Sequence, residues 1–109
     1  MKLNIYENKK VIKTYEAESY DLMFGTVEDV LTMFNVDDLV TGADIEIIKM
    51  VGAALPKCIN TVKPLLKDIF EGLTDDELKK TKMKEIVVVL VEVVKFAFMQ
   101  ISLGANSKN

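Results

Sequence analysis

The chain has 109 residues, half of them apolar and 28% charged, with 17 acidic against 14 basic side chains and a net charge of -3. That length accommodates one domain around one core, and the composition is far from that of a disordered chain. With no histidine and one cysteine, Cys58, an internal disulfide, the usual structural zinc sets and Ser-His or Cys-His nucleophile pairs are excluded; the lysines are interleaved with acids, which removes the basic stripe that nucleic acid requires.

From the N-terminus, Leu3 and Ile5, then Val11, Lys13, Tyr15 and Ala17, follow a period of two on either side of Glu7-Asn8-Lys9-Lys10. Asn8 tolerates the left-handed backbone of a tight turn, so the pattern predicts a β-hairpin over residues 1–18. A lone hairpin is marginal in water, so it has to lie on helices or pair with another strand, one from a second copy included. This opening lacks the apolar run and small-residue cleavage site of a secretory signal, and a cytoplasmic location is expected.

A helical region is expected over 26–103. Val27, Val30, Leu31 and Phe34 recur at helical spacing after Gly25-Thr26, with Thr26 as N-cap and Glu28 and Asp29 at the positive end of the helix dipole. The stretch Asn35 to Gly42, with Asp37-Asp38 and Thr41-Gly42, reads as a loop or a single turn. Beyond Asp44, Ile45, Ile48, Val51 and Leu55 predict one apolar helix face ending or bending at Pro56. A further helix carries Ile59, Val62, Leu65, Leu66, Ile69 and Phe70, with Pro64 within it or near its first turn and Gly72 as its C-terminal cap. Thr74-Asp75-Asp76-Glu77 matches a capping box, placing a helix start at Asp75, with a pause at Thr81 as cap of a last segment.

That last segment, Ile86 to Leu103, reads IVVVLVEVVKFAFMQISL. Its valines would suit a buried strand. However, Glu85, Glu92, Lys95 and Ser102 fall in one narrow stripe only on a helix, which predicts a long apolar helix with one wet edge and a flexible tail over 104–109. A charged pair in its middle argues against a membrane span. The apolar face is either the centre of the bundle or partly an interface. Met23, Met33, Met50, Met83 and Met99 suit either role, as core filler or adaptable contacts.

No catalytic, cofactor-binding or metal-ligating constellation is assigned. Asp75-Asp76-Glu77 is explained by capping, and Asp37-Asp38 lacks the alternating oxygen ligands and turn glycine of a calcium loop. Cys58 has lysines nearby but no base, which favours a small apolar role. The glycines are too isolated for a phosphate-cradling loop.

Two stretches, YEAESYDLMFGTVEDVL at 15–31 and KPLLKDIFEGLTDDELKKTKMKEI at 63–86, resemble the tail assembly chaperones of long-tailed phages and prophages of Gram-positive bacteria. The resemblance implies a non-catalytic morphogenesis factor that coats the apolar helices of a tape measure protein until the tail tube protein polymerises around them, and that is absent from the mature virion. It implies self-association, and in such families a longer product made by ribosomal frameshifting. No motif of ligand-binding residues is carried over.

The expected architecture is thus α+β, a hairpin packed with a small helical bundle in a single domain, 1–109. The expected partners are a tape measure protein, a tail tube protein and further copies of the chain, with neither nucleic acid nor membrane. The surface candidates are Val94, Phe96, Phe98, Met99 and Ile101, near the end of the last helix. The alternatives are a structural or oligomerising virion component and a small regulatory adaptor.

Overall fold

The computed structural model describes residues 1–35 and 39–107, with side chains as far as residue 100. Two antiparallel strands, β1 (Lys2–Glu7) and β2 (Lys10–Glu16), open the chain. Asn8 and Lys9 both adopt positive φ, 51° and 66°, the geometry that lets a two-residue turn match the twist of the strands it joins. Asparagine accepts that backbone readily, whereas lysine has no local hydrogen bond to offset it.

The pleat sends Leu3 and Ile5 of β1 into the core, and their cross-strand partners Tyr15 and Lys13 stand on the same face. The register slips at Ile5/Tyr6, leaving Ile12 as an extra, exposed residue in β2. A bulge and an inward-facing lysine both discourage a further strand from adding to β2.

Among the described residues five helices follow: α1 (Phe24–Met33), α2 (Asp44–Ala54), α3 (Ile59–Ile69), the single turn α4 (Asp75–Leu78) and α5 (Met83–Ser107). Short 3-10 turns at Ser19–Asp21 and Leu55–Lys57 join them, the second holding Pro56 where its missing N–H costs nothing. The fold is α+β. α5 is its axis, packed by α1, α2, β1 and the 19–21 turn. Its Val89, Leu90, Val93, Val94 and Ala97 meet Leu3, Ile5, Val30, Phe34, Ile47, Val51 and the buried side of α3 in one continuous core.

Several local expectations change. α1 begins at Phe24, two residues before Thr26, because the Met23 carbonyl takes the Thr26 and Val27 amides; Thr26 is a buried residue of the first turn, not the N-cap. On α2 the buried face is Ile47 and Val51, continued by Leu55 in the following turn, while Ile45 and Ile48 are exposed. The sequence offers two overlapping apolar stripes there, and contact with α5 selects one. The Thr81 hydroxyl donates to the Leu78 carbonyl and so closes α4; Lys82 supplies the carbonyl that starts α5. α5 continues through Ser107, past the expected end at Leu103. Asp37-Asp38 lies outside the described residues.

Two glycines have positive φ. Gly72 (90°) ends α3 as expected, and Gly42 (69°) lies so close to α5 that an added Cβ would collide with the Phe98 ring. The Gly42 loop is braced by Glu46, whose Oε1 accepts the amides of Val40, Thr41 and Gly42 at 2.9, 3.1 and 3.0 Å.

Lys9→Gly should therefore stabilise the protein by about 0.5–1 kcal/mol, seen as a rise in thermal midpoint. Gly42→Ala should destabilise it by at least about 2 kcal/mol, combining left-handed strain with a clash against Phe98. Denaturant unfolding of the two variants beside the wild type checks both.

Candidate protein-binding surface

The polar stripe of α5 is a wet edge at Glu92 and Lys95, both about half exposed, and it also makes contacts. Glu85 reaches β1, where its carboxylate accepts the Asn4 amide at 3.1 Å and the Tyr6 hydroxyl. This bond to a carboxylate, with some desolvation, holds the Tyr6 phenol above its usual 10. Glu92 stands 3.8 Å from the Met1 nitrogen, and Lys95 Nζ donates to Asp44 at 2.9 Å, tying α5 to the start of α2. Ser102 lies beyond the described side chains. The stripe is a row of attachment points for the hairpin and the 40–44 loop.

A second carboxylate fixes the other strand. Glu77 closes the capping box with Thr74, and the same Oε1 accepts the Tyr15 hydroxyl at 2.6 Å, while Lys13 Nζ lies 3.3 Å from Oε2. Tyr15 leans on Phe70, with ring centroids 6.3 Å apart, and lies within reach of the Gly72 carbonyl at 3.1 Å. The Tyr15 hydroxyl, the Thr74 amide and Lys13 together hold Glu77 down at about 2, well below the ordinary 4.5.

This packing relocates the surface candidates. Val94 is 0% exposed and sits in the core against the other helices, so it offers nothing to a partner. Phe98 is half-buried against Gly42, and Phe96 is half-buried. Met99 is exposed. Ile101 lies on α5, but its side chain is outside the described residues.

The exposed apolar side chains gather elsewhere. Val40 (84% exposed), Ile45 (62%) and Ile48 flank the Asp44–Lys95 pair, and Met99 is one turn beyond Lys95 on the same side of α5. Sequence periodicity placed Ile45 and Ile48 in the core because both stripes of α2 have helical spacing. A second group, Tyr20, Met23 and Phe24, projects from the entry to α1. Of the methionines, Met23, Met83 and Met99 are exposed, whereas Met33 and Met50 pack on the core.

A groove of about 290 Å³ runs between α3, α4 and the start of α5; Ile59, Leu66, Leu78, Met83 and Ile86 make it apolar, and Lys63 and Lys79 also line it. Its acid, Asp75, is matched by Lys67 at 2.6 Å, which lowers its pKa. The Cys58 thiol donates to the Ala54 carbonyl at 3.1 Å, and burial raises its pKa, the opposite of what a thiolate nucleophile needs. Among the described residues no group of three or more acidic or cysteine side chains is placed to hold a metal ion, and no helix is long and apolar enough to cross a membrane.

Because Glu77 ionises more easily folded than unfolded, its contribution is complete above about pH 4.5 and is lost as the pH falls toward 2. Glu77→Gln should lower stability at neutral pH and flatten the acid limb of a plot of melting temperature against pH. Val94→Asp should unfold the chain outright, since it places an unpaired charge in the core; loss of the cooperative melt checks it.

The chain matches no protein-family profile, no curated protein and no solved structure.

Proposed function

We propose that this protein is a non-catalytic tail assembly chaperone acting in the host cytoplasm, holding apolar helical segments of a tape measure protein until tail tube protein encloses them. The observation that carries the reading is the set of exposed apolar side chains Ile45 and Ile48 on the outer face of α2, with Val40 in the loop before it and Met99 on α5. These sit on a fold whose core is already filled by α5, so they are surplus to folding. Ile45 and Ile48, one turn apart, form a ridge suited to the apolar stripe of another helix. Met99 adds the adaptable contact that a chaperone with varied client segments requires. The resemblance of residues 15–31 and 63–86 to tail assembly chaperones supplies the client class.

Co-expression with a tape measure protein tests it. The wild-type chain should keep that protein soluble and co-purify with it, and should be missing from finished particles. The double substitution Ile45→Asp/Ile48→Asp should reduce capture at least about tenfold, equivalent to about 1.4 kcal/mol, without shifting the melt. Capture unaffected by the substitution would sink the α2 surface. Stoichiometric presence in purified particles would make the protein a structural component instead.

A further inference from the structure

We infer that copies of this chain associate head to tail, with the Tyr20–Phe24 segment of one copy seated in the groove between α3, α4 and α5 of the next. This concerns the chain alone and does not rest on the tape measure reading.

The segment is built as a projection. Tyr20, Met23 and Phe24 are 74%, 75% and 78% exposed, although Leu22 between them packs on the core and fixes their base. Three large apolar side chains on one short stretch are more than the scattered exposure of an ordinary surface. The groove is the apolar recess that could receive them, with Ile59 and Met83 themselves exposed along it.

Charge selects a second copy as the occupant. Glu18 and Asp21 flank the projection, and Asp68 and Glu71 line the hollow beside Met23; among the described residues none of these four is in an ion pair. The groove has the opposite sign, with Lys63 and Lys79 on its walls, and it borders a hollow lined by Lys9, Lys79, Lys80 and Lys82, of which Lys80 is matched by Glu7 at 3.6 Å. An acidic apolar projection and a basic apolar recess on one chain are complementary between copies. They share no residue, so the contact is heterologous and leaves a free projection and a free groove at the ends, as in a ring or filament. Pairing through β2 is the weaker route to an oligomer, given its bulge and inward Lys13.

Light scattering at several concentrations reads the result. Wild-type mass should grow past that of a dimer and should fall as salt is raised. Phe24→Asp and Met83→Glu place acids at the first positions of α1 and α5, where the helix dipole favours them, so folding is retained while growth stops. Mixed in equal amounts they should form a dimer and nothing larger, because the intact groove of one takes the intact projection of the other. Should a melt show either variant unfolded, Tyr20→Lys and Lys79→Glu replace them. A wild type that stops at a monomer or a closed dimer, folded variants that grow like the wild type, or a mixture that stays monomeric would each overturn head-to-tail association.

Discussion

A two-stranded hairpin is marginal in water, and this one is held in place by two glutamates from the helical half of the chain. Glu85 takes the Asn4 amide on the outer edge of β1, and the neighbouring Lys80 carbonyl takes the Tyr6 amide at 2.8 Å, so the edge that would otherwise attract another strand is occupied from within. Glu77 does the corresponding work for β2 through Tyr15 and Lys13. The glutamates lie on α5 and α4, so the hairpin is clamped across the junction between them. Leu3 and Ile5 are thereby pressed on α5 and become core.

Once the hairpin is seated, the apolar length of α5 has a structural use. Val89, Leu90, Val93, Val94 and Ala97 are covered by β1 and by the two helices that cross them. A valine-rich helix has poor intrinsic propensity, so it persists here because tertiary burial of one broad face outweighs that deficit, while Val88 and Met99 on the other stay exposed. Surface for partners is then found on side chains that the core has no room for: the outer ridge of α2, the projection before α1, and the groove beside α4. The α2 ridge lies away from the clamp, so altering it leaves the framework intact.

Features governed by local chemistry were legible in the sequence: the turn at Asn8, the Thr74–Glu77 capping box, Gly72 after α3 and the bend at Pro56 each follow from a few neighbouring residues. Features decided by long-range contact were not. Ile45/Ile48 and Ile47/Val51 are both valid helical stripes, and only the approach of α5 determines which is buried. The charged stripe of α5 reads as a solvated edge, and Glu92 and Lys95 are exposed; that it also meets β1 and Asp44 is not visible locally. Sequence alone places Val94 on the surface because it gives the width of an apolar face without the number of elements covering it. The projection at Tyr20–Phe24 could have been suspected from the dense YDLMF run, but nothing local showed that only Leu22 turns inward.

The central claim is that hairpin and α5 form one cooperative unit, which is why the apolar helix serves as core. Native-state amide hydrogen exchange at increasing denaturant addresses this directly. If the claim holds, the protected amides of β1 and those of Val89 to Val94 converge on one opening free energy, equal to that of global unfolding. Hairpin amides that exchange through a separate, low-energy opening while α5 stays protected would contradict it.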